Sequence, residues 1–169
     1  MADDNAVKSK WRSATNLVRG GTNRSNFAET NEAIFMTSGY VYETAEQAQR
    51  AFKGEEDRFI YSRFSNPTVG MFEDRMALLE GAQSCRATAT GMAAVTAAIA
   101  SSVRAGNRLV ASRALFGSCD YICRELMPRY GVESILVDGT NLTEWEAALS
   151  EPTAVVFMET PSNPQMDII

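Results

Sequence analysis

The chain is expected to fold as an α/β protein, with a mainly parallel sheet flanked by helices and an extended N-terminal arm in front of it. Three observations predict this. From Asn66 onward, runs with helical spacing alternate with short β-branched runs, the signature of a parallel sheet covered by helices. Capping residues and Gly turns sit between these runs, where such elements start and stop. Before about residue 60 no long periodic pattern exists. That divides the chain into an arm, 1–60, and a sheet-bearing part, 61–169.

The arm opens polar and runs through the turn-rich Leu17-Val18-Arg19-Gly20-Gly21-Thr22-Asn23. The β-branched and aromatic stretch 34–42 reads as either a loop or a short strand. Residues 44–52 predict a short helix, with Thr44 as N-cap, Gln47 at capping-box spacing and Gly54 as a stop. The arm buries little of itself, so it is expected to pack on the rest of the chain or on a partner subunit. Asn66 then caps a helix whose first residue is Pro67. Val69, Phe72, Met76 and Leu79 recur at helical spacing and Gly81 ends it. The spacing predicts a strand over 84–88, an Ala-rich helix over 91–103 and a turn at Gly106-Asn107. A buried strand over 108–111, a helix over 118–129 and a strand over 132–137 follow. Thr143 is expected to cap a helix running to 149, and 153–158 to form the last strand. Residues 107–137 make one crossover unit, for which right-handedness is the rule.

The composition excludes several classes of function. With 45% apolar and 22% charged residues the chain is an ordinary globular one, and 169 residues suffice for a real core. A formal charge of -5 argues against a nucleic-acid surface. The apolar run 91–103 is too short, and too rich in Ala, Ser and Thr, to span a membrane. Met1-Ala2-Asp3-Asp4-Asn5 is no secretory signal, and a cytoplasmic protein is expected. Cys85, Cys119 and Cys123 are expected to be reduced. Cys119 and Cys123 share an i, i+4 spacing, but two thiols without a histidine make a poor zinc site, so no metal is expected. With no histidine at all, Ser-His and Cys-His nucleophiles are unavailable. The acidic neighbours Glu55-Glu56 and Glu73-Asp74 read as solvated.

In parallel sheets ligands bind where strands end and loops lead into helices. The loops concerned are 89–92, 112–117, 138–140 and 159–164, and three of the four hold candidate residues. Thr90-Gly91-Met92 starts a helix, where free N–H groups suit a phosphate and Gly permits close approach. Taken alone it is equally a plain strand-to-helix turn. Neither GxGxxG nor GxxxxGK[ST] occurs, which argues for a smaller phosphate ligand than a nucleotide. Tyr61 and Arg63 precede the Asn66-capped helix. Arg suits bidentate phosphate contact, although surface or interface packing is the plainer alternative. Phe116 lies on a strand-to-helix loop, free either to stack on a flat ring or to fill the core. Asn163 sits between Pro161 and Pro164, which stiffen the loop, and is placed to donate to a ligand oxygen, or to do no more than turn the chain.

Taken together and in order, Tyr61-Ser62-Arg63, Asn66-Pro67-Thr68, Thr90-Gly91-Met92 and Glu159-Thr160-Pro161-Ser162-Asn163-Pro164 resemble the Cys/Met-metabolism family of pyridoxal 5'-phosphate (PLP) enzymes. The stretch 38–48 looks most like its O-succinylhomoserine sulfhydrylase branch. The resemblance implies the first part of a fold-type I PLP-dependent transferase. It also implies γ-replacement chemistry on an acylated homoserine with sulfide, and a homo-oligomer, dimer or tetramer, with shared active sites. It implies that Thr90, Gly91 and Met92 hold the cofactor phosphate, and that Tyr61 and Arg63 hold the phosphate of a neighbouring subunit. It implies as well that Phe116 stacks on the pyridine ring, without the hydroxyl of the Tyr found in many members, and that Asn163 faces the phenolic oxygen. Such enzymes also need a lysine to hold the cofactor covalently. The only lysines are Lys8, Lys10 and Lys53. None lies in a Ser/Thr-rich loop like the family's, so no catalytic residue is assigned. The 169 residues are expected to be an incomplete, inactive part of a subunit.

Overall fold

Irregular backbone held by side chains makes up most of residues 11–60, as the lack of periodicity predicts. The computed structural model describes residues 11–169, so Lys8 and Lys10 lie outside the described residues. The fold divides into two units, Met1–Ala87 and Thr88–Ile169.

In the first unit, helix α1 (Ser13–Arg19) packs on helix α3 (Pro67–Glu80). Between them comes α2 (Ala45–Phe52). The spacing of Thr44 and Gln47 is realised as reciprocal capping. Thr44 Oγ1 accepts the Gln47 N–H at 3.1 Å, and Gln47 Oε1 accepts the Glu43 N–H at 2.9 Å. Asn66 caps α3 as expected, accepting the Thr68 N–H at 2.9 Å, and Gly81 closes it in a left-handed conformation. Asn66 also ties the arm down, because its Nδ2 donates to the Phe35 carbonyl at 3.0 Å and to Ser62 Oγ at 2.9 Å. Arg75 does the same further along α3. Its Nε donates to the Gly20 carbonyl at 2.8 Å, and its guanidinium pairs with Glu32, which holds that carboxyl below its ordinary range. The 34–42 stretch is a loop with one antiparallel bridge, Gly39 to Tyr61. Phe27, Met36 and Val41 are 92%, 94% and 89% exposed, so the arm leaves its large apolar side chains uncovered.

The strand expected over 84–88 does not form. A ladder needs a neighbouring strand, and the segment has none among the described residues. The Ala87 N–H instead donates to Glu73 Oε1 at 2.8 Å, and Arg86 pairs with the same carboxylate.

The second unit begins with α4 (Gly91–Ala100), shorter than the 91–103 expected, and β1 (Arg108–Ser112). The next helix bends its rules. It runs as α5 (Gly117–Tyr121), a π-helical stretch Ile122–Leu126 and α6 (Met127–Arg129). Pro128 has no N–H to give and crowds the carbonyl four residues back. The widened turn, in which the Met127 N–H reaches Ile122 O, accommodates it. Strand β2 (Glu133–Val137), helix α7 (Leu142–Ala148) and strand β3 (Val155–Phe157) complete the unit. The cap of α7 is Asn141 rather than Thr143, with its side chain accepting the N–H groups of Thr143 and Glu144.

The sheet is parallel, in the order β2-β1-β3. Alternation along the central strand sends Leu109 and Ala111 to one face, where they pack with Ile99, Leu115, Cys119, Ile122, Cys123 and Met127. Val110 packs on the other face with Val137, Trp145 and Ala148. Burial on both faces explains why β1 reads as a continuous apolar run. Among the described residues no helix is long and apolar enough to cross a membrane, and no three His, Cys, Asp or Glu side chains gather to hold a metal ion.

Burial pushes the Cys123 thiol up to about 12, and burial followed by the Glu159 carboxylate raises that of Cys119. A thiol reagent at neutral pH is therefore expected to modify only Cys85 in the folded chain and all three cysteines in denaturant. Rapid labelling of Cys123 under native conditions would contradict this packing.

Candidate functional site

Neighbouring parallel strands release their loops side by side. Ala111 of β1 lies opposite Phe157 of β3, so the 112–117 and 159–164 loops leave the sheet together at its C-terminal edge. Leu115 is buried and anchors the first loop, while the next residue, Phe116, keeps its ring 45% exposed. The second loop is anchored by Ser162, which is 1% exposed. Its Oγ accepts the Asp167 N–H at 3.0 Å, and its own N–H donates to the Asp167 carbonyl at 2.9 Å. Asn163 follows in an exposed position. Its carboxamide has no hydrogen-bond partner among the described residues and is free to meet a ligand. The Thr160–Pro161 and Asn163–Pro164 bonds are both cis.

Glu159 joins the two loops. Its Oε1 and Oε2 lie 3.1 and 3.0 Å from the Phe116 N–H, and Oε2 accepts the Asn163 N–H at 3.4 Å. The sequence motif contains Glu159, but sequence reasoning assigned it no role. The signal was its place two residues beyond a short strand.

The N-terminus of α4 offers a different surface. Thr90 Oγ1 accepts the Ala93 N–H at 3.1 Å and fixes the helix start. The Gly91 and Met92 N–H groups have no acceptor among the described residues. The space where a Gly91 Cβ would point is open, with no heavy atom within 4 Å. Two unpaired N–H groups at the positive end of a ten-residue helix, with room in front, suit an anion. The Met92 side chain packs against the apolar cluster that contains Leu115 and Cys119, so only its backbone is available. The 138–140 loop takes no part. With Arg113, Gln165 and Asp167 it lines a polar cavity of about 370 Å³, where Arg113 is occupied by Glu144 at 3.0 Å.

Tyr61 and Arg63 belong to the first unit. They sit in the turn before Asn66, where the Tyr61 carbonyl accepts the Phe64 and Ser65 N–H groups at 2.9 and 3.2 Å. The Arg63 guanidinium lies over the Tyr61 and Phe64 rings, 5.4 and 5.0 Å from their centroids. It has no acidic partner among the described residues and is exposed, as is the Tyr61 ring at 41%. Lys53 is an exposed residue closing α2, at no strand end.

The Cys/Met metabolism PLP-dependent enzymes match this chain over residues 14–169. An O-succinylhomoserine sulfhydrylase of Mycobacterium tuberculosis is 54% identical over 156 residues, which is 92% of this chain and 38% of that protein. An L-methionine gamma-lyase of Porphyromonas gingivalis is 39% identical over 153 residues, or 90% of this chain and 38% of that one. A solved Campylobacter jejuni structure that carries an N'-pyridoxyl-lysine-5'-monophosphate matches at a TM-score of 0.86 and 28% identity, covering 94% of this chain and 39% of its own. The chain thus spans about two-fifths of the length of the relatives it matches.

Proposed function

Because this chain belongs to the Cys/Met metabolism PLP-dependent enzyme family, we propose that it supplies the first part of the cofactor region of an O-succinylhomoserine sulfhydrylase-like enzyme. The reaction is γ-replacement in methionine biosynthesis: sulfide displaces succinate from Cγ of O-succinylhomoserine and gives homocysteine. The observation that carries this reading is the 54% identity to a sulfhydrylase, against 39% to a methionine gamma-lyase. The enzyme is read as a cytoplasmic homo-oligomer in which the 1–60 arm reaches a neighbouring subunit. The uncovered Phe27, Met36 and Val41 support that arrangement.

The family uses PLP, and the residues present fit it. When bound, this cofactor supplies an electron sink for the charge left as the Cα and Cβ protons depart. The Gly91 and Met92 N–H groups and the α4 dipole hold its phosphate. The Thr90 hydroxyl, already accepting from Ala93, has its own proton left to donate. Phe116 covers one face of the ring and keeps water from it. Having no hydroxyl, it moves no proton. Asn163 donates to the phenolic oxygen and fixes the ring's rotation. Arg63 supplies a bidentate clamp, with Tyr61 beside it, for the phosphate of the neighbouring subunit. Lys53, exposed at the end of α2, is not the covalent lysine, which is assigned outside these 169 residues. The chain alone then binds PLP reversibly and turns nothing over.

Borohydride reduction after incubation with PLP, followed by intact mass, tests this. The expected mass stays near 18.5 kDa, with no homocysteine formed from O-succinylhomoserine and sulfide. A reduced adduct on Lys53, or turnover by the chain alone, would overturn the assignment. The similarity to the gamma-lyase favours one second reading, a γ-elimination or cystathionine-forming relative sharing the same site. A non-catalytic chain that docks on full-length subunits is the remaining alternative.

A further inference from the structure

We propose that Glu159 is a positioning residue, which locks the Phe116 loop and the Asn163 loop into one rigid unit. The consequence for ligand binding rests on the PLP reading above. The geometry does not. Phe116 is the N-cap of α5 and has no side chain able to cap it. A carboxylate arriving from the end of β3 takes its N–H with both oxygens, at 3.1 and 3.0 Å. The same carboxylate takes the Asn163 N–H at 3.4 Å.

Glu159 has no Lys or Arg partner among the described residues, so these N–H groups and the buried Cys119 thiol are what its oxygens meet. A charge facing the start of the continuous helix 117–129 is also favoured by the helix dipole. The ring of Phe116 is 45% exposed, and no hydrogen bond among the described residues holds it or the exposed carboxamide of Asn163. Their backbones are held instead, through one side chain. A stacking ring and a ring-oriented donor must keep a fixed separation to grip the same flat ligand, and Glu159 sets that separation.

The test compares the full chain with Glu159→Ala and Glu159→Gln by amide hydrogen exchange without ligand and by fluorescence titration with PLP. In Glu159→Ala the Phe116 amide is expected to exchange at least about tenfold faster and PLP to bind about tenfold more weakly. Glu159→Gln keeps an acceptor at that distance and is expected to restore both to within about threefold. Unchanged Phe116 exchange and PLP affinity in Glu159→Ala would overturn the proposal. If Glu159→Ala loses its far-UV circular dichroism, Glu159→Gln carries the test, and a tenfold loss of affinity there with an intact fold would overturn it. Failure of the unaltered chain to bind PLP would contradict the functional reading, while the exchange result would still decide the role of Glu159.

Discussion

Alanine in place of Arg63 is expected to weaken PLP binding in the assembled protein by roughly one to two orders of magnitude, the loss typical of a charge-assisted contact. The guanidinium has no acidic partner among the described residues and rests over two exposed aromatic rings. Its contribution to folding is therefore small, about 1 kcal/mol at most, and the melting temperature should barely move. Lysine should not rescue the loss, since a point charge does not reproduce the planar fork. The loss should appear only at concentrations where subunits associate, because Arg63 is read as serving its neighbour. A PLP titration across a dilution series checks both points. An affinity unchanged by Arg63→Ala in the associated protein would remove Arg63 from the site.

Gly21→Ala is expected to cost about 3 kcal/mol of stability, from backbone strain and steric clash together. Gly21 has φ +70, and an added Cβ would come within 2.7 Å of the Met71 carbonyl oxygen and 2.9 Å of the Arg75 nitrogen. Both are backbone atoms of α3 and cannot step aside. Gly54 provides an internal control. It shares the left-handed conformation at φ +72 but has nothing within 4 Å of the same position. Gly54→Ala should therefore cost only the conformational penalty, about 1 kcal/mol. Thermal melts of the two variants check the difference. Equal losses would mean that the turn at Gly21 does not pack on α3 as described.

Much of this was legible because local chemistry decides it. Thr44 and Asn66 read as caps, and each accepts a backbone N–H at the helix it starts. Strand β1 was visible as an apolar run because its residues pack on both faces of the sheet, whereas β2 packs Ile135 and Val137 on one face. The features that sequence reasoning missed depend on partners far along the chain. The 84–88 stretch has strand-like residues but no strand beside it. Helix α1 is two turns long and polar in sequence, and packing on α3 sustains it. Asn141 outcompeted Thr143 because an Asn side chain two residues earlier reaches two N–H groups at once. The role of Glu159 depends on β1 and β3 being neighbours, a fact of topology that no spacing within the motif discloses.

The site itself was read from residue types, and the structure adds their surroundings. Gly91 faces open space, Phe116 presents its ring, and the Asn163 carboxamide stays unpaired. A ¹⁵N–¹H correlation spectrum recorded through a PLP titration of the chain tests this set most directly. The largest shifts are expected on the Gly91 and Met92 amides, with Phe116, Asn163 and the Asn163 side-chain amide moving at the same ligand concentration. Saturable shifts confined to other residues, with Gly91 and Met92 unmoved, would contradict it.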